Sequence, residues 1–134
     1  MSQENVEIAK RVIDAFNERD ADAIFACVNP DIEWFPAVTV SFGGGALRGR
    51  EGIESYLRDV SDTWEEYFVL IEEFRDLGQD QVLVLSRVEG RGASSGGLVD
   101  EAMGQIFDIR DGKISRVRTY LDHREALEAV GLEE

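Results

Sequence analysis

Asp111-Gly112 separates two alternating apolar runs, Leu98 to Ile109 and Ile114 to Leu121, and no other feature of this chain narrows its fold as much. Asp-Gly accepts the positive φ angles of a two-residue hairpin loop, so the flanking runs are predicted to pair as antiparallel strands. Upstream, Trp64 to Phe74 and Gln81 to Glu89 have the same strand character, with "DLGQD" turning between them and "GRGASSGG" leading into the third run. A meander of such strands needs a cover for its apolar face. The N-terminal part supplies it. Val6, Ala9, Ile13 and Phe16 recur at helical spacing, and Ile8 and Val12 widen the stripe. A short second helix follows Asp20, carries Ile24, Phe25 and Val28, and stops at Asn29-Pro30. "DIEWF" reads as a strand, Ala37 to Gly49 as a loop, and Ile53, Tyr56, Leu57 and Val60 as the stripe of a third helix. Asp122 and Glu125 form a capping-box-like start for a final helix ending near Gly131.

The layout predicts an α+β fold, a curved antiparallel sheet packed on N-terminal helices, as a single domain over residues 1–134. A curved sheet that holds helices in its concavity leaves a pocket at one end.

Charge and composition remove several functions. Fourteen basic residues against twenty-eight acidic ones leave a net charge of −14, which repels phosphate backbones and anionic lipid, so neither nucleic acid nor membrane is an expected partner. Cys27 is the only cysteine and His123 the only histidine, so neither a zinc site nor a Ser-His or Cys-His nucleophile pair is expected. Gly43-Gly44-Gly45 lacks the Lys-Ser/Thr of a phosphate loop. With no apolar h-region at the start and no membrane-length apolar run, the expected compartment is the cytoplasm.

Strand alternation then sorts the polar residues by face. Leu83, Leu85, Arg87 and Glu89 share one face of their strand, and Val82, Val84, Ser86 and Val88 the other; both faces begin apolar. Met103, Gln105, Phe107 and Ile109 share the face expected to be buried, which places an amide between two large apolar side chains. Val117, Thr119 and Leu121 form the apolar face of the last strand. Ile114 has the opposite parity, so both can point inward only if a bulge lies between them. Trp34 is a core residue or a substrate platform. The basic residues Arg110, Lys113, Arg116 and Arg118 are expected on a solvated face, paired with neighbouring acids.

Three strings, "DADAIFACVNPDIEW", "LRGREGIESYL" and "RDGKISRVRTYLDHREALEAVGL", resemble in order and spacing the SnoaL-like group of the nuclear transport factor 2 superfamily, over nearly the whole chain. The resemblance implies a cone of curved sheet closed by helices, a deep apolar pocket, a homodimer and no cofactor. The dimer would use the outer sheet face, through residues such as Ile106. Against ketosteroid isomerases, the proton-abstracting aspartate falls on Trp34, the oxyanion-binding tyrosine on Val12 and the neutral aspartic acid on Gln105. Steroid-type proton abstraction is therefore not expected. Against limonene-type epoxide hydrolases, an arginine and an acid two apart on one strand line up with Arg87 and Glu89. The second carboxylate falls on Thr119 and the amide on Trp34.

By that resemblance Arg87 and Glu89 face the pocket as catalytic residues, and Trp34, Met103, Gln105, Phe107, Thr119 and Leu121 line it. The implied function is a small-molecule protein acting on an apolar, oxygen-bearing ligand. A cofactor-independent isomerase, cyclase or hydrolase and a non-catalytic binding module both remain open.

Overall fold

The computed structural model describes residues 2–37 and 45–132. In chain order the elements are α1 (Ser2–Asn17), α2 (Ala21–Phe25), β1 (Val28–Phe35), β2 (Leu47–Arg48), α3 (Gly49–Thr63), β3 (Trp64–Gly78), β4 (Gln81–Gly92), β5 (Leu98–Arg110), β6 (Lys113–Tyr120) and α4 (His123–Ala129). The strands form one sheet in the order β2-β1-β6-β5-β4-β3. All neighbours run antiparallel except β1 and β6, which are parallel with Trp34 opposite Val117. Gly43 and Gly44 of the glycine run lie outside the described residues.

Both two-residue hairpins are set by backbone angle. Asp111 and Gly112 have φ of 55° and 76°, the loop expected from Asp-Gly. Gln79 and Asp80 adopt the same conformation at 53° and 59°, so β3 runs on to Gly78, past the end read from the sequence. The second helix, in contrast, is shorter than expected. It ends at Phe25, and Val28 opens β1 by pairing with Ile114. Asn29-Pro30 falls in the irregular stretch of that pairing, where a residue without an N–H is tolerated.

The inner face of the sheet carries the main core. Ala9, Val12, Ile13 and Phe16 of α1 and Ile53, Tyr56, Leu57 and Val60 of α3 pack there against Val82, Val84, Val88, Met103, Phe107, Ile109, Ile114 and Val117. Ile114 and Val117 both point inward because β6 has one extra residue: Ile109 pairs with Ile114 but Asp108 with Arg116. The spare residue, Ser115, donates its hydroxyl to the Asp108 carbonyl. Each fully buried aliphatic or aromatic side chain contributes about 1.5–3 kcal/mol.

The outer face is not simply solvated. There α4 covers Leu83, Leu85 and Ile106 with Ala126 and Leu127. The helix lies so close that a Cβ on Gly104 would stand 2.4 Å from the Ala126 Cβ. Ile106 is fully buried, so it cannot serve the association surface expected of it.

The edge strand β3 is blunted by α1. The Asn17 side chain pairs with Val69 like a neighbouring strand, donating to its carbonyl and accepting from its N–H, each at 2.9 Å. Arg19 donates to the carbonyls of Phe16 and Tyr67, both at 2.6 Å.

Candidate functional site

Where α1, α3 and the inner face of the sheet converge, they enclose a cavity. Its wall is aromatic on the helix side, with Phe16 and Tyr56 stacked at 5.6 Å between ring centroids and Trp34 6.2 Å from Tyr56. Tyr67 meets Phe16 edge-on at 6.1 Å. Ile13, Val69 and Met103 add apolar surface, and Gln105 and Thr119, neighbours across the β5–β6 ladder, form the polar end. The volume within these walls is about 20 Å³, room for about one water.

The polar end is incompletely satisfied. Gln105 is 5% exposed, and its amide nitrogen donates to the Thr119 hydroxyl over 3.4 Å. Its carbonyl oxygen is buried and has no hydrogen-bond partner among the described residues. An amide oxygen left in that state costs about 1–3 kcal/mol unless something donates to it.

Among the described residues the cavity wall contains no carboxylate, histidine or lysine. Its titratable groups are the Tyr56 and Tyr67 phenols, and burial pushes both pKa values above the ordinary tyrosine range, against the opposing pull of Arg19. Both phenols are therefore neutral hydrogen-bonding groups at neutral pH. Cys27 does not line this wall, and its thiol is also pushed upward by burial. Among the described residues no three His, Cys, Asp or Glu side chains are grouped as a metal ion would require.

The expected site residues thus divide. Trp34, Met103, Gln105 and Thr119 come together around the cavity. Phe107 is fully buried in the inner core but not on the cavity wall, and Leu121, just past the end of β6, is 42% exposed. Arg87 and Glu89 are on the wrong side of the sheet. The valines of β4 fill the inner face, while Leu83 and Leu85 pack beneath α4, so the same alternation carries Arg87 and Glu89 outward. Beyond the reach of α4 that face is open to solvent. Arg87 is held there by Asp100, at 2.7 and 2.9 Å, which raises its pKa first through that hydrogen bond. Glu89 borders a shallow outer groove with Phe68, Arg91 and Leu98. Three of the four basic residues expected to pair on the β5–β6 hairpin do so, Arg116 with Glu33, Arg118 with Asp108 and Arg110 with Asp31, while no ion pair of Lys113 is present among the described residues.

Phe16, Tyr56 and Tyr67 are the aromatic wall residues that the sequence reading left unassigned. The first two lay in plain view on helical apolar stripes. Such stripes show that a ring is buried, but not that it borders a void.

No curated protein matches the chain. Solved structures do. TerC, co-crystallised with polyporic acid, superimposes with a TM-score of 0.77 at 26% identity, over 95% of this chain and 98% of its own. A nuclear transport factor 2-like protein from Burkholderia xenovorans gives 0.74 at 26% identity, covering 97% of each chain. A candidate SnoaL-like polyketide cyclase from Jannaschia shares the fold, with a TM-score of 0.76 at 19% identity over 99% of this chain and 95% of that one. The sequence profile of the SnoaL-like domain matches residues 9–117. That is most of the chain, and it takes in every described cavity-lining residue except Thr119, so this protein belongs to the SnoaL-like domain family.

Proposed function

We propose that this protein binds a small, largely aromatic molecule through a hydroxyl group, and that it does so without supplying a proton-transfer catalyst. The observation that carries this reading is the buried, unpartnered carbonyl oxygen of Gln105 at the polar end of an aromatic cavity. A ligand hydroxyl donating to that oxygen would remove its desolvation penalty, and the cavity, which holds about one water as it stands, would widen between the rings of Phe16, Trp34 and Tyr56 to take an aromatic group. TerC, which shares about a quarter of its residues with this chain, has been co-crystallised with a small organic acid, and this supports the same use of the fold.

Catalysis of the cyclase or isomerase kind is the second reading, favoured by fold neighbours described as polyketide cyclases. With only neutral phenols, an amide and a hydroxyl on the wall, such a reaction would have to proceed by orientation and hydrogen bonding. Self-association belongs to the proposal as well. With Ile106 covered, a homodimer would use Phe68, Leu70 and Leu98, which are 41%, 43% and 74% exposed. A cytoplasmic setting is part of the same reading. No helix among the described residues is long and apolar enough to cross a membrane.

A thermal-shift screen with hydroxylated aromatics tests the binding reading. A compound at a hundred times its dissociation constant adds about 2.7 kcal/mol of stability. The shift is expected to weaken in Gln105→Met and to persist in Glu89→Gln. Loss of the shift in Glu89→Gln, with Gln105→Met unaffected, would move the site to the outer face.

A further inference from the structure

The inner cavity does not stand alone. A second hollow of about 290 Å³ opens beside it toward solvent, lined by Pro36, Leu47, Tyr56, Val60, Trp64 and Tyr67, with Asp59 and Thr63 at its edge. The two spaces share Pro36, Tyr56 and Tyr67 as walls. The inner space is too small for any ring, while the outer one is already near the ~300 Å³ lower end of small-molecule sites.

The two tyrosines that divide these spaces are held differently. Tyr56 is only 9% exposed and is clamped by Phe16 and Trp34. Tyr67 is half-buried. Its backbone carbonyl is fixed by Arg19, and its ring meets Phe16 edge-on at 6.1 Å and Trp64 at 5.3 Å, with an edge over Gly90, where a Cβ would come within 3.3 Å of both Tyr67 and Trp64. On the Gly90 side no side chain interlocks with the ring, so a change of its χ angles would break the contacts with Phe16 and Trp64 but would not have to move the strand.

We propose that the ligand site is two-chambered: Tyr67 is a movable partition, and the occupant is an elongated aromatic molecule whose hydroxyl end passes it to reach Gln105 while its other end stays against Trp64. This rests on the binding reading above and extends it to a ligand class, rod-like hydroxylated biaryls in preference to compact phenols. It also assigns Tyr67 to ligand admission.

The chain has two tryptophans, and each marks one chamber: Trp34 borders the inner cavity and Trp64 the outer hollow. Protein labelled with 5-fluorotryptophan should give two fluorine NMR signals, assigned with Trp64→Phe. Titration with biphenyl-4-ol is expected to shift both signals with one dissociation constant, and biphenyl, without the hydroxyl, should bind about tenfold more weakly. The partition is tested without any ligand by acrylamide quenching of Trp34 fluorescence in the Trp64→Phe background. Adding Tyr67→Ala should raise quenching several-fold; Tyr67→Leu, which keeps more buried surface, serves if the alanine variant does not fold.

A shift at Trp34 alone would overturn the two-chamber site and leave binding at Gln105 standing. A shift at Trp64 alone would overturn both, as would no shift at either. Quenching of Trp34 that is unchanged by removal of the Tyr67 ring would overturn the partition, whatever binds.

Discussion

At the scale of the residue, Gln105 is where stability and recognition oppose each other. Its amide oxygen is buried with no donor among the described residues, so Gln105→Met, close in shape and without the amide, should raise unfolding free energy by about 1 kcal/mol in urea titrations. The same substitution should weaken binding of hydroxylated ligands. A fall in stability would mean that the carbonyl is satisfied in solution. Strand parity was enough to put Gln105, Thr119 and Trp34 inside from the sequence. It failed for Arg87 and Glu89 because a strand covered on both faces offers no sign of which face bends inward, and the alignment with the hydrolases supplied the wrong choice. Nor could parity foresee that Asp100, from the adjacent strand, would be the partner of Arg87.

At the scale of the element, α4 converts an open sheet face into a second core. The contact depends on the absence of a side chain at Gly104, so Gly104→Val should displace α4 and expose Leu83, Leu85 and Ile106. The expected cost is about 1–3 kcal/mol, read from urea unfolding, with a rise in binding of a hydrophobic dye. The sequence showed the start of this helix clearly, since the Asp122 side chain accepts from the Glu125 N–H at 2.7 Å as the capping pattern requires. Its destination was not legible. Short amphipathic helices look alike whichever face they cover. The end of α1 was disguised for a different reason. Arg19 takes the left-handed conformation, φ 57°, at a position that glycine usually fills, and Asp20 N–H closes onto the Ala15 carbonyl at 2.9 Å. A non-glycine residue there costs about 1 kcal/mol, offset by the two carbonyls its guanidinium holds.

At the scale of the whole molecule, the burial of the aromatic cluster predicts an alkaline limit. Tyr56, with its pKa raised by desolvation, keeps its proton in the folded protein, whereas in the unfolded chain it ionises near pH 10. The stability it contributes is therefore complete below about pH 10 and declines above it. Melting temperatures measured from pH 9 upward should fall in the native protein and fall less steeply in Tyr56→Phe. Association is a second property of the whole. Sedimentation at rising concentration should show a dimer that Leu70→Glu disperses, and a monomer throughout would remove the outer β3–β5 surface from consideration. The overall architecture was legible because helices followed by long strands admit few arrangements. The parallel pairing of β1 was not, because no local pattern marks which distant strand an isolated one will join.

That pairing has a consequence in time. The long neighbour of β1 is β6, with Val28 opposite Ile114, while among the described residues its other flank meets only the two residues of β2. A chain emerging from its N-terminus can form α1 and the β3–β4 hairpin early. It cannot give β1 a lasting place until nearly the last strand has been made, so the wall that carries Trp34 is the last to close.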